Sequence, residues 1–539
     1  MNGDLFAKEA LAQIPKILTL CDRNPHSPTY GCCDRNFWQY KIVDFPSGMA
    51  QEFVYPLALA YYTNISNNPF YQQAAIPDWV EAGILFAAKT AHKDGSCDDY
   101  FPFERASGAA AFSLLACIES YSMLGLDNPE ILRFFELRAS WLAHHQESGR
   151  LTNHQALIVL CLELLSQMLC TPRWDRAKAL RLEQVLDWQD EEGWFPEYEG
   201  CDPGYHTLTI SCLARIYQLQ PDNNRLKEAL KKAVELAAHF LHPDGSYGGE
   251  YTSRNTYNFF PHGFELIGQW LPGALRINDC FLWGLSQGLA PCYADDHIIG
   301  HHTWNYLLTW RDFVDRISLA VPHKSGRIWL KSAQILIDRR ENADFSGRPQ
   351  TVLYIALNKG GAFKLFRDQK LVASDTQFSL QVRSGGKLKN AVGHLIDNYD
   401  VQVSAEEITI TGQLGWAKQK QMTPVNLLIL RVMMLTIGRF FPNLIRKLLQ
   451  KMLITGKQDA PFYFSRRLRW KNYQWHVTDE LQTRSWQPVQ AAGIGGDQTS
   501  IYVVMSRTFQ LGQLQPWLDL TEEVKKLAPH QPLKLDRHL

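Results

Sequence analysis

Polar, glycine-bearing breaks recur at a nearly constant interval along the first 335 residues, and no other feature restricts the fold as much. They fall at Pro46-Ser-Gly48, Asp94-Gly95, Ser148-Gly149, Glu192-Gly193 and Asp244-Gly245, with Asp295-Asp296 as a sixth, spaced 44 to 54 residues apart. Between the breaks, apolar residues return every three or four positions, as in Trp79, Ala82, Leu85, Phe86 and in Phe112, Leu115, Cys117, Tyr121. That spacing is helical. Six units of about fifty residues, each with two helices, predict six stacked helical hairpins. Such hairpins bury their apolar faces by closing as an (α/α)6-type toroid, with alternate loops gathered on one face. An irregular helical array is the alternative.

Near Arg339 the period changes to two. Thr351–Leu357, Ala362–Phe366, Phe378–Val382, Val401–Ser404, Ile408–Thr411, Tyr473–Val477 and Ile501–Met505 read as strands, several alternating as if half-buried. Ala405-Glu-Glu407 reads as a hairpin turn. The fold class expected is therefore α+β multidomain: a helical toroid over residues 1–338, then an antiparallel β-sandwich over 339–539. One segment interrupts the strands. Thr423-Pro424 opens an apolar helical stretch running to Leu453, broken by Arg431 and Arg439 and bent at Pro442, which argues against a membrane span. Between 423 and 471 there are ten basic residues and one acid, Asp459. A cationic amphipathic hairpin at about 423–455 suits an anionic membrane interface. Packing against the sheet or a dimer contact are the alternatives.

Composition excludes several classes. The 55 basic and 55 acidic residues cancel, so nothing marks a nucleic-acid partner. Aromatic content of 12%, with 16 Trp, suits stacking on sugars. All 11 Cys lie at or before Cys292, an odd number without a C-x-x-C pair, which argues against a disulfide framework or a zinc site. Met1-Asn-Gly-Asp-Leu-Phe has no basic and apolar leader, so a cytoplasmic location is expected. No P-loop is present, and Gly493-Ile-Gly-Gly-Asp-Gln stops short of a dinucleotide fingerprint. No cofactor or metal is expected. Oligomeric state is not legible.

Chemistry concentrates in the break loops. The fourth, Gln189 to His206, holds six acids and Trp194, and Pro203-Gly204 places Tyr205 and His206 in the first turn of a helix. The third ends in Asn153-His154. The fifth carries Arg254, Asn255 and Tyr257, then His262 and Glu265; the sixth is followed by His301-His302. His297 and His301 have the spacing of metal ligands on a helix, but no carboxylate or Cys completes a zinc motif.

A helical toroid followed by a β-sandwich, with Asn153-His154 and with Tyr205-His206 after an acidic loop, resembles the heparinase II/III-like and alginate-lyase-like polysaccharide lyases. The resemblance implies β-elimination on a uronate-containing poly- or oligosaccharide. Asn153 and His154 would neutralise the carboxylate, and Tyr205 would be base, acid or both. His206, Arg254 and His262 would orient groups and balance charge. Glu265, Trp194, Tyr257 and His301 complete the expected substrate contacts. The sequence departs from the family in lacking a His-x-His-Asp cluster in the β-domain, where His394 is the early histidine. Either His394 or a toroid histidine would have to serve.

Each residue also has a plainer reading. Asn153 could be an N-cap, the histidines structural, Tyr205 a plug at the helix start, and Arg254 a partner of Glu250 or Glu265. Two other classes fit the same fold. A glycoside hydrolase would use two spaced carboxylates from Asp190, Glu191, Glu197 and Glu199. A glycan-binding protein would need no Tyr205. A terpene cyclase is disfavoured, because no Asp-x-Asp-Asp is present.

Overall fold

The structure is a computed structural model. It describes residues 3–539 except 148, 198–199, 295–297, 317–324, 342–350, 396–397, 418–420, 451–457, 497 and 499–507. Six helices form a closed inner ring, each packed on the next and the last on the first: α4 (Val54–Tyr62), α6 (Ser107–Leu124), α8 (Thr152–Met168), α10 (Pro203–Leu219), α12 (His262–Gly268) and α14 (Ile299–Arg311). An outer ring of α1 (Asp4–Leu11), α5 (Ala75–Thr90), α7 (Pro129–His144), α9 (Asp175–Asp187), α11 (Asn224–Ala237) and α13 (Pro272–Ser286) backs it. Two short helices, α2 (Ile14–Leu20) and α3 (Arg35–Trp38), fill the first connection. The sequence explains the two rings. Inner α6 is apolar nearly all round, with Ser107 to Ile118 buried throughout, as a helix with neighbours on every side must be. It is also long and apolar enough to cross a membrane, but 78% of it is buried in the ring. Outer α11 buries Leu226, Leu230, Ala233 and Ala237 and exposes Lys231 and Lys232, as a one-sided helix does.

Each described break precedes an inner helix, so these breaks gather on one face of the toroid. Three of them share one turn. His92, Asp190 and His242 each donate a backbone N–H to the carbonyl four residues on, at 2.9 Å, and each accepts from the glycine three residues on. Those glycines, Gly95, Gly193 and Gly245, have φ of +88°, +99° and +82°. A Cβ at Gly193 would come within 2.6 Å of the Lys232 carbonyl oxygen, and one at Gly245 within 2.7 Å of the Gly284 Cα. Glycine is required twice there, for its left-handed backbone and for direct backbone contact with the next outer helix. The sixth break, Asp295-Asp296-His297, lies outside the described residues. The fourth break contains a two-residue ladder, β1 (Pro196–Glu197) against β2 (Gly200–Cys201).

The β-region has two antiparallel sheets. The smaller runs β3-β4-β5-β6-β7, from β3 (Gly326–Leu330), β4 (Ile335–Arg340), β5 (Thr351–Ala356), β6 (Ala362–Arg367) and β7 (Lys370–Asp375). The larger runs β15-β14-β8-β9-β11-β12-β13-β16, with β10 paired to β11. Its strands are β8 (Phe378–Ser384), β9 (Lys387–Val392), β10 (Asp400–Val403), β11 (Glu407–Trp416), β12 (Asp459–Lys471), β13 (Gln474–Gln482), β14 (Val489–Ile494), β15 (Leu518–Asp519) and β16 (Leu533–His538). Leu353, Ile355, Phe363 and Leu365 of the small sheet meet Phe378, Ile408, Phe464 and Trp475 of the large one. Its other face, Ile337, Val352, Tyr354 and Phe366, joins the toroid core. A sheet covered on both faces is apolar at consecutive positions, which is why β5 reads as a continuous run.

Two expectations change. The sheet begins at Gly326, so the helical domain ends before residue 338. The stretch 459–471 is strand β12 rather than part of the basic hairpin. Its arginines are also occupied, with Arg466 buried and Arg467 and Arg469 paired to Glu407. The expected strand Ile501–Met505 lies outside the described residues. The insertion itself is helical, α15 (Pro424–Met433) and α16 (Pro442–Gln450), joined by a π-helical turn, Met434–Gly438. Among the described residues α15 buries none, so it does not pack on the sheet. A last helix, α17 (Thr521–Lys525), packs on β14.

The large sheet is pinned to the small one by ions. Arg466 donates to Asp375 at 2.8 and 3.0 Å, to Asp479 at 2.6 Å and to the Gly361 carbonyl at 2.9 Å, with Arg537 bridging both acids. The two aspartates raise the Arg466 pKa despite the opposing effect of burial, and Arg466 in turn holds Asp375 below its ordinary value. Removing one partner leaves buried charge uncompensated. Arg466→Met should therefore cost about 3–5 kcal/mol in urea unfolding; a loss below about 1 kcal/mol would place the network in effective contact with water.

Candidate active site

The loop from 189 to 202 folds back over the start of α8. Leu151 bridges to Glu197, and the Thr152 hydroxyl donates to the Pro196 carbonyl at 2.7 Å. This places the fully buried Glu197 carboxylate against Asn153, whose backbone N–H and Nδ2 donate to Oε1 at 3.0 and 2.8 Å. Asn153 is therefore not the N-cap of α8, a position held by Leu151. Its Oδ1 is buried and finds no partner among the described residues.

The chain from Gly249 to Tyr257 supplies the other wall. Ser253 donates its N–H to the Cys201 carbonyl at 3.1 Å, so this loop is tied to β2. Arg254 then reaches Glu197 Oε2 at 3.3 Å, with its guanidinium 4.4 Å over the Tyr205 ring. Tyr205 sits in the first turn of α10, where its N–H is accepted by the N-capping Asp202 at 3.0 Å. Burial pushes the Glu197 carboxyl up to about 7, even though Arg254 and Asn153 oppose the shift. His154 completes the group. Its Nδ1 lies 2.8 Å from Glu147 Oε2, and a fifth of its side chain is exposed. Burial pulls its pKa down, but Glu147 outweighs burial and the net shift is upward.

Asn153, His154, Tyr205 and Arg254 thus converge around Glu197 on the loop face of the toroid. The ion pair to Glu197 replaces the partners expected for Arg254. The Glu197 signal was present in the sequence, in an acidic loop with a Pro196-Glu197 step, but nothing local distinguished it from its five acidic neighbours. Of those, Glu199 lies outside the described residues.

Other expected residues go elsewhere. His206, one residue on, points away into the helix layer, with Nε2 on the Ala233 carbonyl at 2.9 Å and Phe195 against its ring. Burial lowers its pKa to about 4. Glu265 is bound to Arg316 at 2.8 Å and to Asn278 at 2.5 Å, a buried structural ion pair rather than a substrate contact. His262 is held by Asp312, which follows the C-terminal end of α14, at 2.8 Å. It lies beside Arg215 and Arg311, and burial takes its pKa to about 4. His301 contacts Glu52 at 3.0 Å and stacks on Phe112 inside the ring. Trp194 donates to Ser332 Oγ at 3.0 Å, tying toroid to sandwich. Tyr257 donates to Glu250, which also binds Lys364 at 3.1 Å.

His394 lies beside Lys359. Its Nδ1 donates to the Thr376 carbonyl at 2.9 Å, leaving Nε2 as a lone pair with no partner among the described residues. Burial, and then Lys359, hold its pKa at about 3. Lys359 in turn donates to the carbonyls of Glu250 and Thr252 and to Asn255 Oδ1, on the loop that carries Arg254. Burial drops the Lys359 pKa to about 8.

No family model matches this chain, and no curated protein matches it. Among solved structures, a chondroitin AC lyase of Streptomyces coelicolor A3 aligns with 92% of this chain and 68% of its own, at 9% identity and a TM-score of 0.48. A heparan sulfate lyase of Pedobacter heparinus aligns with 82% of this chain, at 11% identity and a TM-score of 0.42. This chain spans 62% of that lyase's length. An unsaturated glucuronyl hydrolase of Streptococcus agalactiae covers 57% of this chain and 92% of its own, at 10% identity and a TM-score of 0.41. At such identities the likeness assigns no role to any residue.

His206 gives a sign that can be checked. Its pKa falls from 6.5 to about 4 on folding, so its neutral form contributes stability that is complete above pH 6.5 and lost as pH falls toward 4. The contribution is on the order of 3 kcal/mol. His206→Asn should flatten the fall in melting temperature between neutral and mildly acidic pH. An unchanged acid limb would mean that His206 is not buried as described.

Proposed function

We propose that this chain is a carbohydrate-active enzyme that cleaves a uronate-containing glycan by β-elimination. One observation carries the reading. The two carboxylates of the cluster, Glu147 and Glu197, are each committed to orienting a group that could meet a substrate carboxylate, His154 and Asn153. A hydrolase pair would instead need two carboxyls facing the scissile bond.

The chemistry follows from the geometry. Removing the proton beside a uronate carboxylate creates enolate-like charge, which needs donors fixed in advance. Asn153 has a second Nδ2–H to give, its amide orientation being set by Glu197. His154, whose pKa Glu147 raises against the effect of burial, donates from Nε2 in its protonated form. Tyr205, as the phenolate, takes the C5 proton and passes it as phenol to the departing O4 oxygen, so that a C4–C5 double bond forms and no water is consumed. Arg254 over the Tyr205 ring offsets charge during that transfer. Lys359, bonded to the loop that carries Arg254, and His394 beside it are the groups of the β-region from which a second acid or base would come.

A second reading has one observation in its favour. Glu197 titrates at about 7, as the acid of a glycoside hydrolase would. A panel of uronate polymers and oligomers, watched for ultraviolet absorbance of the new double bond, separates the two. Elimination predicts absorbance, with Tyr205→Phe lowering turnover about 10²- to 10⁴-fold and leaving the melting temperature unchanged. Asn153→Ala should cost about 10²- to 10³-fold. Cleavage products without absorbance would transfer the assignment to hydrolysis through Glu197, and near-normal turnover by Tyr205→Phe would remove Tyr205 from the mechanism.

A further inference from the structure

The segment between β11 and β12 takes no part in the chemistry, yet it carries the largest run of exposed apolar side chains among the described residues. On α15, Val425 and Leu428 are each 65% exposed and Ile429 57%. These side chains span about 200° of the helix circumference when Leu427 is included. The bend beyond it exposes Phe440 at 73% and Phe441 at 62%. Met434 and Ile445 face inward and hold the hairpin to the body.

The hairpin lies on the loop face of the toroid. Arg431 pairs with Asp44 at 3.0 Å and stands over Phe45, and Arg439 stands over Phe103. Asn443 Nδ2 donates to the Gln146 carbonyl at 3.5 Å, next to Glu147, the residue that holds His154. The contacts therefore fall on the first three break loops, on the face that also carries the candidate active site.

We propose that residues 424–445 dock this protein on an anionic lipid surface, with the mouth of the candidate site turned toward it. Besides Arg431 and Arg439, the sequence from Lys418 to Gln458 contains six Lys and Arg and no Asp or Glu, which complements an anionic surface and repels a second copy of itself. A flat protein partner would cover one side of α15, whereas an interfacial bed of lipid surrounds the wide apolar sector that is exposed. Pro424–Gly438 is an apolar helix too short for a membrane span. At about 1.5 Å per residue it reaches only about 22 Å, short of the ~30 Å hydrocarbon core, so it lies in the interface. The docking surface stands whether the site eliminates, hydrolyses or only binds its glycan.

The test is sedimentation of the full chain with vesicles of phosphatidylcholine alone or of equal parts phosphatidylcholine and phosphatidylglycerol, at low and high salt. The control variant combines Leu428→Gln, Ile429→Gln, Phe440→Gln and Phe441→Gln. All four positions are exposed, so its melting temperature should match that of the unaltered protein. The unaltered chain should pellet with the anionic vesicles, and its binding should fall at least about tenfold in high salt, on the neutral vesicles and in the variant. Equal pelleting of the two forms would overturn the proposal. So would an unaltered chain that ignores both vesicles, or one that light scattering shows to be a dimer dissolved by the same substitutions.

Discussion

Direct backbone contact at the break glycines sets the geometry on which the remainder of the molecule depends. Gly193 and Gly245 let the turn leaving one outer helix press on the backbone of the next. Any side chain at those positions would push neighbouring hairpins apart, in addition to straining a left-handed backbone. Close hairpins allow the inner helices to meet side to side and the ring to shut. Because every such turn precedes an inner helix, the first turns of those helices all point to one face. The site is assembled there because that is where the topology collects helix starts and irregular loops.

On that face a single buried carboxylate organises the candidate site. Glu197 touches a helix start through Asn153 and a loop more than fifty residues later through Arg254. It resides on a two-residue ladder that has no stability of its own. A buried carboxylate at this position is tolerated because donors from both sides meet it, and its raised pKa records the part of the desolvation cost they do not offset. The same logic holds between the sheets, where Arg466 and Arg537 face Asp375 and Asp479, with no catalytic demand attached.

The small sheet joins these two regions. One face of β5 packs on the large sheet and the other enters the toroid core, so no solvent layer separates the two domains at that point. Lys359 adds a polar tie to the loop that carries Arg254. The sandwich thereby braces one wall of the candidate site instead of serving as a remote module.

The sequence by itself determined the repeat, the change from helical to strand periodicity, and the loops that carry Asn153, His154 and Tyr205. These are legible because period and turn chemistry are local, set by residues within one or two turns of one another. Tertiary structure alone decided which polar residues meet. Tyr205 and His206 are adjacent, yet about 100° of helical rotation sends one toward Arg254 and the other into the helix layer. Glu265 reads like a site residue until Arg316 is seen beside it. The basic count between 423 and 471 likewise merged an exposed helical hairpin with a strand whose Arg466 is the centre of a buried network. Charge and hydrophobicity are properties of the chain, but whether a group faces solvent, a partner or a cleft depends on which distant segment packs against it.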